Sequence, residues 1–499
     1  MNSTKQTLLI IAAASLFLLA QTYASVSSGS VSDSLTKAIQ IESAKSENSK
    51  WIYPAENLDP EKKFNPTLFV IKNKRGEFQS VFSETFAKIY STLFYLVPIE
   101  FVPYFNIVFL ILGMLSLTFI GQIPILVCIL ITYGSVLFSQ SLDLSEVPLL
   151  FFLISISYSI WAIGIKKNHP NKIYLGLLLL LFGCFLRLEI ILLGGLIFVY
   201  SAFYFYQQKS IKGELYLVAS FCASIFIFFS INYINEGHIF GLRYLYNFDP
   251  DNQLTFVMRL KNMLNISFTS IHALDIKIGF FLYSPFFLYL IYFGFKSRSF
   301  ETSNPSFAHL FILIVYPILV GITAPNDGIT ITGRYALAAI FPGMFLLSDH
   351  WNQIRGKKIF WLLVFASLTL SFFVLKVLKQ SNKMIRKTNS ILEPLKTDLW
   401  IFYDQNISGV AGLHLLKQPS LAVTEINWRK DLHTLTSRIK AEKIRNIVVF
   451  DFSESSIVKY KRPLELQSDD FQKLWKNEDF LCSETINVDF ISYRKCNLL

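Results

Sequence analysis

The sequence predicts an all-α polytopic membrane protein with about 11 transmembrane helices and a small C-terminal α/β domain. Three observations carry this. Of 499 residues, 53% are hydrophobic and 16% charged, against roughly 25% charge in soluble globular chains. Mean hydropathy is +0.44, and the 48 Phe are gathered in apolar runs long enough to cross a bilayer. After about residue 379 the runs stop and a polar tail with strand-like segments begins. A stable water-soluble enzyme is thereby excluded. The net charge of +11 is no nucleic-acid footprint, because no basic block with interleaved aromatics occurs. The five cysteines include no Cys-x-x-Cys, hence no zinc or redox motif.

Residues 7–25 form the first span or signal anchor. Thr22-Tyr23-Ala24 also suits a signal-peptidase site, and either reading puts Val26 onward outside. Residues 26–100 are a polar first external loop. Within it, 81–97 places Phe82, Phe86, Ile89, Leu93 and Val97 at helical spacing among Glu84 and Lys88. That pattern suits a helix lying in the interface. Residues 101–378 form the bundle, with apolar runs near 101–121, 123–138, 147–165, 172–187, 189–206, 214–233, 276–295, 306–323, 335–348 and 358–378. With the amino terminus inside, the inner loops are 166–171, 207–213, 296–305 and 349–357. All four are short and basic, as the positive-inside bias requires, and counting 81–97 as a span would reverse them. Residues 379–499 are then a separate soluble unit on the outer face. Apolar runs (LWIFY, IVVFDF, VDFISY) alternate there with the amphipathic stretch 432–443, a small α/β pattern.

Ionisable residues at span ends are costly in a bilayer and are functional candidates by default. Asp33 opens the first loop, with Lys37 at i+4; it reads as a helix-start carboxylate in an ordinary ion pair, or as a general base at the membrane surface. Asp143 and Glu146 precede Pro148 at a span start, where dipole partners are the plain alternative. Arg187-Leu188-Glu189 interrupts two apolar runs and reads as a supported polar turn or a structural brace. His238, after Gly237, is a hydrogen-bonder or a site residue. Arg334-Tyr335 ends an external loop, where the Arg clamps a phosphate or snorkels to the interface. The parity of the spans places all these residues, drawn from five segments, on the outer face. One outer site is the economical reading. In the tail, Cys482 and Cys496 flank enough chain for two short strands, which predicts a disulfide in an oxidising compartment or else two unrelated thiols.

These residues resemble the GT-C superfamily of polytopic glycosyltransferases, distantly like protein O-mannosyltransferases and lipid A aminoarabinose transferases, over residues 1 to about 380. Asp33 stands where the family keeps its catalytic acid. Leu186-Arg187-Leu188-Glu189 is similar to a Leu-Arg-Pro-Glu junction, with Leu188 in place of Pro. Gly237-His238 resembles a Gly-His after a middle span. Asn326-Asp-Gly…Thr-Gly-Arg334-Tyr335…Pro342 is similar to a Gly-Gly…Gly-Pro-Arg-Tyr…Pro motif. Ser34 follows Asp33 where the mannosyltransferases have an Asp-Glu pair. The resemblance implies transfer of a sugar from a polyprenyl-phosphate donor to a glycan, lipid or protein acceptor, at the periplasmic face of a bacterial inner membrane. It implies Asp33 as base, and Arg334 with Arg187 or Lys37 on the donor phosphate. Asp143, Glu146, Glu189, His238 and Tyr335 are supporting or substrate-binding residues. A divalent metal between Asp33 and Glu146 is a further expectation of that resemblance. A transporter or flippase for a lipid-linked sugar, or an oligosaccharide ligase or polymerase, is the alternative. Transporters, however, more often carry repeats and mid-membrane charges, and neither shows here.

Overall fold

The computed structural model describes the chain except residues 1–2, 29–31, 47–49, 74–75, 248–253, 273–274, 298–305, 325–330, 404, 424–427, 454–479, 489–490 and 499. Part of the basic 296–305 loop and the Asn326-Asp-Gly portion of the motif before Arg334 therefore lie outside the described residues.

Apolar sequence with no polar stripe makes helices that are buried or lipid-facing all round. Among the described residues, seven helical segments are long and apolar enough to cross a membrane: Lys5–Ala24, Ile99–Phe119, Val147–Lys166, Ile190–Gln207, Ile211–Glu236, Ser306–Thr323 and Lys358–Leu395. Pro170–Phe185 and Phe286–Lys296 are shorter apolar helices. Two other expected spans are broken by local chemistry. Residues 123–138 divide at Gly134-Ser135 into Ile125–Tyr133 and Val136–Ser141, and the Ser135 side chain caps the second piece. Residues 335–348 start as a 3-10 turn, Thr332–Ala339, before the helix Ile340–Asp349. The 276–295 run likewise opens as a strand, Asp275–Ile278, and turns helical only afterwards.

The bundle has one continuous apolar core that includes Phe17, Phe86, Tyr90, Phe151, Tyr158, Trp161, Phe280 and Phe341. At one end, Lys166 Nζ lies 3.7 Å from Asp349 Oδ1, Ser306 donates to Asp349 at 2.8 Å, and Gln208 donates to Asn168 at 3.1 Å. Three of the basic loops assigned to the inner face thus meet at this end.

The stretch 81–97 contains a ten-residue helix, Glu84–Leu93, capped by Ser83; it buries Phe86 and Tyr90 and leaves Leu93, Tyr95 and Leu96 exposed. The helix Lys358–Leu392 has 35 residues, about 52 Å at 1.5 Å per residue. A hydrocarbon core is about 30 Å thick, so this helix runs on well beyond the expected end at 378. Its Asn382 side chain donates to Ala24 O at 2.8 Å, beside the end of the first helix.

Beyond it a six-stranded sheet forms. Leu399–Phe402 pairs in parallel with Ser420–Ala422 and Asn446–Phe452. Ile491–Leu498 pairs antiparallel with Asn446–Phe452, Phe480–Cys482 and Ile486–Val488. That register sets Cys496 opposite Cys482, and the two form a disulfide. The tail does not pack by itself. Leu35, Ile39, Trp51, Tyr53, Leu58 and Phe64 share its core with Trp400, Phe402, Val448 and Phe450. Ala422 N donates to Phe64 O at 2.8 Å, and Gln405 to Asn65 O at 2.9 Å. The first loop and the tail form one unit.

Candidate functional site

The helix Ser32–Lys45 carries Asp33 and Lys37. Its spacing of apolar residues serves two cores: Leu35 and Ile39 (i, i+4) enter the sheet unit, while Ala38 and Ile41 enter the bundle. Asp33, in the first turn, remains partly open, and Lys37, one turn deeper, is buried. The two side chains consequently take different partners.

Lys37 Nζ lies 2.7 Å from Glu146 Oε2, both side chains 7% exposed, and 4.6 Å from the centre of the Phe82 ring. Glu146 ends the Leu142–Glu146 loop before the Val147–Lys166 helix and makes no side-chain cap bond there. Its other oxygen is 3.9 Å from Arg243 Nη1. Burial alone would raise the Glu146 carboxyl, but Lys37, Arg187 and Arg243 outweigh it and hold the group below the ordinary carboxylate range. Asp143 accepts from Ser34 Oγ at 2.5 Å and from Leu144 N at 2.7 Å. Burial is its largest influence and raises it despite those bonds. The loop itself is pinned from beneath. Asn106 Nδ2 donates to the carbonyls of Ser141 and Asp143, and Tyr90 OH donates to Asn106.

Arg187 and Glu189 form a compact turn between two apolar helices, with Nε–Oε1 2.7 Å and Nη2–Oε1 2.5 Å. Burial opposes both charges. For Glu189 the opposing cations Arg187 and Arg243 prevail and lower it; for Arg187, Glu189 and Glu146 prevail and raise it. Arg334 sits in the 3-10 turn Thr332–Ala339, its Nη1 3.7 Å from Asp33 Oδ2 and its guanidinium 5.4 Å from the Tyr335 ring centre. Gly333 allows that turn to seat closely, because a Cβ there would come within 2.5 Å of Phe280 N.

Seven expected residues thus gather at the end of the bundle opposite Lys166 and Asp349: Asp33, Lys37, Asp143, Glu146, Arg187, Glu189 and Arg334. Tyr335 adjoins them, through Arg334 and the field it exerts on Arg187. His238 lies in the turn before Arg243. Its Nδ1 accepts from Phe240 N at 3.2 Å and its ring stacks on Tyr244 at 5.4 Å. Gly237 and Gly241 take φ of +75° and +80°, and Glu236 accepts from Leu242 N at 2.5 Å. Together they build the turn that delivers Arg243, a residue the sequence reading passed over. Its only signal was its place in the same loop, Gly-Leu-Arg after Gly-His.

Asp33 and Arg334 are open to an incoming group, at 36% and 30% side-chain exposure, while Asp143 and Glu189 are half-buried. Lys37 and Arg187 lie behind them, committed to carboxylates. Arg243 helps to line a small open cleft with Phe82, Phe185, Leu188, Phe228 and Glu236. Among the described residues no three His, Cys, Asp or Glu side chains gather as a metal site. Both oxygens of Glu146 already face cations, so the pair Asp33 and Glu146 does not fit a divalent ion as arranged. No protein-family model matches the sequence, and no curated protein matches it.

Proposed function

We propose that the chain is a membrane glycosyltransferase that moves a sugar from a polyprenyl-phosphate donor to an acceptor hydroxyl at the outer face, with Asp33 as base. The observation that carries this reading is the pairing of an accessible acid with an accessible arginine, Asp33 and Arg334, 3.7 Å apart beside the more deeply set pairs Lys37–Glu146 and Arg187–Glu189. A sugar phosphate needs both groups. The Asp33 carboxylate takes the proton of the acceptor hydroxyl as its oxygen forms the new bond to the anomeric carbon. The bond from that carbon to the phosphate oxygen breaks, and its electron pair leaves with the lipid phosphate. Negative charge grows on that phosphate through an oxocarbenium-like transition state. Arg334 meets it with a planar fork of donors, and Arg243, in the wall of the neighbouring cleft, adds a second positive charge. Lys37 and Arg187 act from behind, holding Glu146 and Glu189 so that the rim stays rigid.

In this reading the two shorter apolar helices and the two broken runs join the seven long helices to give eleven crossings. The charged rim and the sheet unit then face the periplasm of a bacterial inner membrane. The acceptor is a glycan, lipid or protein of that compartment. Comparing surface glycans and lipid-linked sugars in cells carrying wild-type protein, Asp33→Asn or no gene is the test. Loss of one glycan, with its lipid-linked sugar accumulating equally in Asp33→Asn and in the deletion, is expected. Full glycosylation by Asp33→Asn refutes the assignment of the base. A lipid-linked sugar retained on the inner leaflet would instead identify a flippase.

A further inference from the structure

The helix Phe256–Ser267, in what the sequence reads as an external loop, is amphipathic in the reverse of the soluble sense. Its polar residues point into the protein. Asn262 and Asn265 are buried, Arg259 Nη1 donates to Ile322 O at 3.1 Å, and Asn262 Nδ2 to Ala324 O at 3.4 Å. One apolar face points out: Phe256 and Val257 are each 73% exposed, Leu264 51%, and Leu260 lies between them on the same face, while Ile266 is buried. At 100° per residue these four occupy one stripe, and Lys261 flanks it. In water such a stripe is an unpartnered hydrophobic patch.

Its place in the fold identifies what covers it. The bonds to Ile322 and Ala324 fix this helix against the end of Ser306–Thr323, one of the membrane-length apolar helices, whose own Ile318 is exposed. Gly321 allows the contact: a Cβ there would come within 2.5 Å of Met263 Cα. The stripe thus adjoins the end of an apolar helix of membrane-crossing length. We infer that Phe256–Ser267 lies in the outer membrane–water boundary, with Phe256, Val257, Leu260 and Leu264 inserted among acyl chains and Lys261 at the headgroups. This inference rests on the membrane reading alone and holds whatever reaction the rim performs.

The same helix supports the arginine of the rim. Thr332 Oγ1 donates to Asn265 O at 2.5 Å, and Gly279, packed on the Asn265 and Phe268 backbone, lies under Gly333. The segment bearing Arg334 is therefore held at a fixed height above whatever surface receives the stripe.

The test places a nitroxide at Val257→Cys, and separately at Leu264→Cys, in a Cys222→Ser background, because Cys222 is exposed. The full chain is reconstituted in phosphatidylcholine vesicles. Collision with oxygen, which concentrates in hydrocarbon, is compared with collision with a water-soluble nickel chelate. At 257 and 264 oxygen collisions should exceed nickel collisions, with the order reversed at Ser46→Cys on the sheet unit. The Ser46 order at positions 257 and 264 would mean that the stripe faces water, and weak collision with both reagents would mean that protein covers it. Either result overturns the inference.

Discussion

Replacing Lys37 by Met keeps most of the length of the side chain and its contact with Phe82, but deletes the charge 2.7 Å from Glu146. Removing one member of a buried ion pair typically costs 3–5 kcal/mol, because the partner is left charged and desolvated. Arg243 still stands 3.9 Å from the other Glu146 oxygen, so the low end, about 3 kcal/mol, is expected. Unfolding entropy of about 2.1 cal/mol/K per residue over 499 residues is roughly 1 kcal/mol/K. The melting midpoint should then fall about 3 °C, and further if a smaller unit melts on its own. Lys37→Met/Glu146→Gln removes both members of the pair and should recover most of the loss, the two substitutions being strongly coupled. Thermal melting of the four proteins in one detergent, at one pH and concentration, measures the cycle. A Lys37→Met midpoint equal to wild type, or a double variant that loses the sum of the two singles, refutes the reasoning.

Asp33→Asn should lower transfer by about 10²–10⁴-fold while melting as wild type, measured with lipid-linked donor in membranes. Arg334→Lys keeps the charge and loses the fork, so its rate should fall between those of wild type and Arg334→Ala. Glu146 and Glu189 titrate below their ordinary value of 4.5 in the folded chain. Their stabilisation is complete above about pH 4.5 and is lost as pH falls through the depressed values; Glu146→Gln should flatten the acid limb of a melting-versus-pH curve. Cysteines at Ser46 and Lys417, both exposed, should react with an impermeant thiol reagent in intact spheroplasts in a Cys222→Ser background. Ser420 would be a poor probe, since it is 1% exposed on its strand. Cys496→Ser opens a loop of sequence separation 14 and should cost about 3 kcal/mol, read as faster hydrogen exchange over residues 480–498.

Hydropathy and the positions of charge made much of the molecule legible. A charge at a span end is conspicuous, and span order alone assigns it to a face, so Asp33, Glu146, Arg187 and Arg334 could be expected to meet. Their pairing could not. Helical spacing suggested Asp33 with Lys37, but a single turn of depth separates an open position from a buried one, and only packing reveals that. Arg243 escaped because one more basic residue in a loop looks like a solvated charge. The breaks at Gly134-Ser135 and in the 3-10 turn at Arg334 are local choices inside apolar runs that hydropathy averages away. The shared core of the first loop and the tail was hidden for a different reason: Leu35, Trp51 and Phe64 carry no mark of a partner more than 330 residues distant in sequence.

That distance has a consequence for biosynthesis. Gln405 and Ser408 bond to Asn65 and Pro66 across separations of 340 and 342 residues. At roughly 5–20 residues per second, a ribosome needs about 17–70 s to make the intervening 340 residues. Throughout that interval the helix bearing Asp33 is already made, with Leu35 and Ile39 awaiting a surface not yet translated. Chains cut short before the sheet should therefore keep the apolar bundle yet present an apolar helix face to chaperones and proteases. The seat of an early helix is thus completed only when residues some 340 positions later have been made.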